Sequence, residues 1–88
     1  MTTVQKFDDQ QILSNVMTII SKHAQNRSAL KNVSLETNIL RDLQVNSAKF
    51  VDIVLDMEDA FSFQINDDDA DKISTVGDAV HLVKKMLH

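Results

Sequence analysis

The sequence predicts an all-α domain: a small four-helix bundle of three longer helices and one short acidic helix, with a long first loop. Three observations carry that prediction. One Gly and no Pro in 88 residues leave little for the tight turns that an all-β chain needs about every 8–12 positions. Apolar side chains recur at helical spacing in separate segments. Residues suited to helix N-termini (Asp8 or Asp9, Asn46, Asn66, Thr75) stand just before acidic or periodic runs. The length allows one domain, spanning residues 1–88.

The first helix is expected from about Asp8 to Ala24. Ile12, Val16 and Ile20 repeat at i, i+4, i+8, with Leu13, Met17 and Ile19 beside them, a broad apolar stripe. From Gln25 to Asn46 the pattern weakens, yet Leu30, Val33, Leu35, Ile39, Leu40 and Leu43 persist. A connection this long and this apolar should pack over the bundle, with a helical turn inside it.

The clearest amphipathic helix runs from Ser47 to about Phe61, with Asn46 as its cap. Phe50, Val51, Val54, Met57 and Phe61 are expected to form its core stripe, supported by Ile53 and Leu55. Asp52, Asp56, Glu58 and Asp59 fall largely on the other faces. Asn66 to Lys72 reads as a short acidic helix, with acids where the dipole favours them. Thr75 opens the last helix, with Asp78 three residues on in a capping-box arrangement. Val76, Ala79, Val80, Val83 and Met86 supply its apolar face, and Lys84 and Lys85 suit its C-terminal end.

Composition excludes several classes of function. With no Cys there is no disulfide framework, no Cys-based metal centre and no thiol nucleophile. A net charge of −4 disfavours a general nucleic-acid binder. No apolar run approaches the roughly 20 residues that cross a bilayer. The opening MTTVQKFDDQQ lacks the basic and apolar regions of a secretory signal, so a soluble, cytoplasmic protein is expected; a monomer is the expected state, with weak self-association left open. The charge is uneven: Asn46 to Lys72 contains eight acids against two bases, so one end of the protein is strongly negative.

Few residues offer chemistry of their own. Asp67, Asp69, Asp71 and Asp78 match positions 1, 3, 5 and 12 of a calcium loop. The match fails where Gly and a bidentate Glu are needed, at Lys72 and Asp78. Helix-start acids in solvent are the expected reading. His23, His81 and His88 lack metal-ligand spacing or a triad and are expected at the surface. A single Gly excludes glycine-rich phosphate loops. No metal site and no catalytic residue are assigned, and the chain is not expected to be an enzyme.

Ser47 stands apart because of its surroundings. Asp42-Leu43-Gln44-Val45-Asn46-Ser47-Ala48, followed by an acidic amphipathic helix, resembles the acyl carrier protein family, whose motif there is D-L-G-x-D-S-L. The likeness continues without a gap through Glu58-Asp59-Ala60-Phe61, Ile65, Ala70-Asp71-Lys72-Ile73 and Thr75-Val76. It covers about half the chain strongly and the N-terminal helix in pattern only.

The resemblance implies the following. A phosphopantetheinyl transferase, using Mg²⁺ on its own side, moves 4′-phosphopantetheine from coenzyme A onto Ser47, making the chain a phosphoprotein. Asn46 caps the helix beside it. The arm's thiol then holds acyl groups as thioesters for enzymes of fatty-acid, related lipid or polyketide synthesis, which accounts for the missing Cys. Asp52, Asp56, Glu58 and Asp59 meet basic patches on those enzymes, with Ala48 at the same surface. An acyl chain can shelter between the helices.

The sequence departs from the family at its most functional point. Gln44 replaces Gly, Asn46 replaces Asp, Ala48 replaces Leu, and Lys49 adds a positive charge. These changes suit a specialised carrier. They also suit the alternative of a never-loaded carrier fold that binds basic partner surfaces as an interaction or regulatory module.

Overall fold

The computed structural model describes residues 8–87. Helix α1 (Asp9–His23) is followed by a 3-10 turn (Ser28–Asn32), then by α2 (Ser47–Phe61), the short α3 (Asp67–Asp71) and α4 (Val76–Leu87). Helix α1 packs against both α2 and α4. The described elements share one core, and every fully buried residue in it is apolar.

The caps set the boundaries. Asp8 accepts from Gln11 N at 2.8 Å while the Gln11 side chain accepts from Asp8 N at 3.1 Å, a reciprocal capping box. Asn46 and Asn66 cap α2 and α3 through their side-chain oxygens. Thr75 Oγ1 accepts from Asp78 N at 3.0 Å, and Asp78 Oδ2 accepts from Thr75 N at 3.1 Å and Ser74 N at 2.9 Å. These backbone donors, Ser74 first, lower the Asp78 pKa below its ordinary value.

The stretch between α1 and α2 is built into the bundle. It buries Ile39, Leu43 and Val45, and it crosses the start of α4 as a strap. Ile39 N donates to Ser74 O at 2.9 Å, Val76 N to Thr37 O at 3.0 Å and Gly77 N to Leu35 O at 2.8 Å. The strap thereby satisfies first-turn amides of α4 that no intrahelical carbonyl can reach. Gly77 allows the approach: a Cβ there would sit 2.8 Å from Leu35 O. The expected helical turn in this stretch is the 3-10 segment.

Three expectations need correction. Val51 and Leu55 are about half exposed, and the core row of α2 is Ile53, Met57 and Phe61 at i, i+4, i+8, with Phe50 and Val54 partly buried beside it. The cause is angular: at 100° per residue, Val51 and Leu55 lie on the far side of the helix from Met57. In α4 the buried face includes Leu82, whereas Met86 is exposed. His23 is not a free surface residue, because its ring is largely covered and meets Asp56. Asp67, Asp69 and Asp71, by contrast, stand as expected in a short acidic helix, which fans carboxylates round the axis instead of wrapping them about an ion. The reading of His88 lies outside the described residues.

Candidate functional site

The site begins with two buried anchors. Leu43 and Val45 are sealed in the core, and Gln44 between them has φ +54°, a left-handed turn that redirects the chain. Gln44 O accepts from Gln25 N at 3.3 Å and Leu43 O accepts from Asn26 N at 3.1 Å, so the turn is tied to the end of α1. The Asp42 carboxylate and carbonyl also accept, from Asn38 N at 2.9 Å and from the Asn26 amide at 3.0 Å. Ser47 therefore stands on a fixed platform.

Asn46 is extended (φ −75°, ψ 169°), and its Oδ1 accepts from Lys49 N at 2.9 Å, making Ser47 the first helical residue. Ser47 is exposed, and its hydroxyl bonds to no other described residue. The Ser47 and Ala48 N–H groups likewise have no acceptor among the described residues, so the positive end of a fifteen-residue helix opens beside the hydroxyl. An alcohol in this position is accessible to a large donor, and a phosphodiester formed on it is favoured by the helix end.

The other site candidates divide into two groups. Asp52, Asp59 and Ala48 are exposed along α2. Asp56 and Glu58 are half-buried and engaged: Asp56 Oδ2 lies 3.0 Å from His23 Nε2, and Glu58 Oε2 accepts from Ile65 N at 2.6 Å. Glu58 thereby pins the chain after α2. The sequence reading missed Val51 and Leu55 as surface residues. With Ser47 they fall at i, i+4, i+8, an apolar row that starts at the serine and is flanked by Asp52 and Asp59.

Among the described residues no group of three or more His, Asp or Glu is placed to hold a metal ion, and no helix is long and apolar enough to cross a membrane.

Known proteins place this geometry. A family model described as a phosphopantetheine attachment site matches residues 24–83, which include the Gln44 turn, Ser47, α2, α3 and the first two thirds of α4. The fold and this match define a carrier domain of the phosphopantetheine-binding class. The chain belongs to the acyl carrier protein family, and membership implies a covalently attached 4′-phosphopantetheine group.

An acyl carrier protein of Lactobacillus johnsonii is 44% identical over 52 residues, 59% of this chain and 65% of that protein. The match thus spans just under two thirds of that relative's length. An acyl carrier protein of Thermotoga maritima is 37% identical over 78 residues, covering 89% of this chain and 94% of the relative. The solved structure of an acyl carrier protein from Enterococcus faecalis superposes with a TM-score of 0.73 at 36% identity, covering 88% of this chain and 95% of that one. The four-helix expectation agrees with this likeness.

Proposed function

We propose that the chain is a single-domain acyl carrier whose Ser47 bears the phosphopantetheine group, and that it hands acyl intermediates to enzymes of fatty-acid or related lipid or polyketide synthesis in the cytoplasm. The observation that carries this reading is the Ser47 turn: an unpaired, exposed hydroxyl at the first position of α2, on a backbone locked by the Asn46 cap and the buried Leu43 and Val45. When bound, the group supplies a thiol on a long flexible arm, chemistry that this Cys-free chain lacks.

The chain's own residues display and orient. Ser47 Oγ offers a nucleophile to a transferase that provides the base and the metal. The unpaired Ser47 and Ala48 amides favour the resulting anion. The row of Val51 and Leu55 offers a shallow apolar contact, and Asp52 and Asp59 steer encounter with basic surfaces. Such a surface suits brief visits to many enzymes. The chain binds and positions, and reaction chemistry resides with its partners.

The test is intact mass after incubation of the full chain with coenzyme A and a broad-specificity phosphopantetheinyl transferase. A gain of one arm, absent in Ser47→Ala at unchanged helicity, supports the carrier. No gain with any transferase would leave the unloaded interaction module as the better reading.

A further inference from the structure

We propose that the groove between α1 and the stretch that follows it takes the α2 face of a second copy of this chain, so that copies associate weakly, head to tail. This goes beyond the carrier reading and does not depend on whether Ser47 is loaded.

The groove has a volume of about 330 Å³ and opens to solvent. Leu13 and Met17 of α1 line one side, Leu30 and Leu35 the other, and the buried Val76 forms the floor. Leu13 and Leu35 are exposed hydrophobic side chains that the fold leaves uncovered. Lys31 stands at this groove, and a more open depression that shares Met17 is lined by Lys22 and Arg27. All three bases are exposed. No acid lines either depression, although the chain carries 13 acids against 9 bases. Lys22 and Lys31 have no ion-pair partner among the described residues, and the Arg27 guanidinium donates to Ser21 O at 2.8 Å.

The complement lies on the same chain. At 100° per residue, Val51, Leu55, Asp52 and Asp59 of α2 fall within an arc of about 100°. Val51 and Leu55 are exposed, and Asp52 and Asp59 are exposed acids with no ion-pair partner among the described residues. An apolar pair beside two acids thus matches an apolar groove beside three bases. Both surfaces stand open in one fold, so the groove of one copy meets the α2 of another, and the contact is heterologous. The net charge of −4 on each copy disfavours other approaches and leaves the one that joins unlike charge. The covered row begins at Ser47, so under the carrier reading self-association and enzyme docking compete for it.

The test is sedimentation equilibrium of the full-length chain in low salt. The weight-average mass should climb past that of the monomer between about 10 µM and about 1 mM, and association should weaken severalfold at high salt. Lys22→Glu/Lys31→Glu and Val51→Ser/Leu55→Ser should each associate at least about tenfold more weakly at unchanged helicity. An equimolar mixture of these two variants keeps one sound groove and one sound α2 face. It should form a one-to-one dimer that does not grow further, which also shows that both variants are folded. Amide shifts of the wild type on dilution should fall at Leu30–Leu35 and along the outer face of α2. A wild type that stays monomeric to 1 mM, variants that associate like the wild type, or a mixture that stays monomeric overturns the proposal.

Discussion

His23 Nε2 lies 3.0 Å from Asp56 Oδ2, joining the last turn of α1 to the third turn of α2. The imidazole side chain is 15% exposed and the carboxylate 38%, so the contact is sheltered on one side and wet on the other. It converts an acid of the α2 surface into an interhelical tie. Removing either partner should cost about 0.5–1 kcal/mol, less than a fully buried hydrogen bond to a charged group. His23→Ala, Asp56→Ala and the double variant, compared by urea unfolding, should give a coupling energy of a few tenths of a kcal/mol or more. Additive effects would show that the two side chains merely lie close.

Gly77→Ala should destabilise the protein, against the usual sign for a helical glycine. At an open helical position the change gains about 1 kcal/mol from backbone entropy. Here the new Cβ meets Leu35 O at 2.8 Å, a backbone atom held by its hydrogen bond from Gly77 N. The strap must lift or α4 must shift, and a net loss of about 1–3 kcal/mol is expected. A thermal midpoint at or above that of the wild type would show that the strap yields freely.

Gln44→Gly should do the opposite. A non-glycine residue at φ +54° carries roughly 1 kcal/mol of backbone strain, partly offset by the lower unfolded-state entropy it brings. A gain of about 0.5–1 kcal/mol in chemical denaturation is expected. Asn46→Ala should lose about 1 kcal/mol by leaving Lys49 N without its cap. Unchanged stability in Gln44→Gly would mean that the turn relaxes without the left-handed residue.

These positions also show what the sequence could and could not reveal. The caps at Asp8, Asn46, Asn66 and Thr75 were legible because capping depends on short side chains at fixed local offsets. The Ile12–Val16–Ile20 stripe was legible for the same reason of locality. The strap was not, because it pairs residues some forty positions apart: Leu35 with Gly77, Thr37 with Val76 and Ile39 with Ser74. Apolar content in that stretch indicated burial without naming the partner. The roles of Asp56 and Glu58 were hidden likewise, since an acid on a helix reads as solvated until an imidazole or an unpaired amide is folded against it. The Ser47 turn was recognisable from its motif, whereas the exposure of Val51 and Leu55 depended on which face α1 covers.

Acidification should loosen the start of α4. Donation from the Ser74 and Thr75 amides lowers the folded-state pKa of Asp78 below its ordinary 3.8. A depressed folded value means that Asp78 adds stability above about that pH and loses it as pH falls through the folded value. Asp78→Asn should therefore be less stable than wild type at pH 7, with the difference shrinking below pH 4. Denaturant titrations across that range read the effect, and a gap independent of pH would assign it to shape instead of charge.

The two apolar rows of α2 should separate stability from function. Met57 is fully buried, and truncation to Ala removes packed volume that its neighbours only partly refill, at a cost of about 2–5 kcal/mol. Val51 and Leu55 are 55% and 52% exposed, so replacing both with Ser should change stability by less than about 1 kcal/mol. If this row is the contact that transferases and acyl-processing enzymes use, the double Ser variant should unfold near the wild-type midpoint yet load severalfold more slowly at low carrier concentration. Saturating carrier should restore the rate, because a lost docking contact raises KM and leaves the geometry at Ser47 Oγ intact. A fall in kcat with unchanged KM would place the row in catalytic alignment, and no change in either would remove it from the interface. Met57→Ala supplies the contrast: its loss appears first in unfolding, and its loading falls only as the folded population falls.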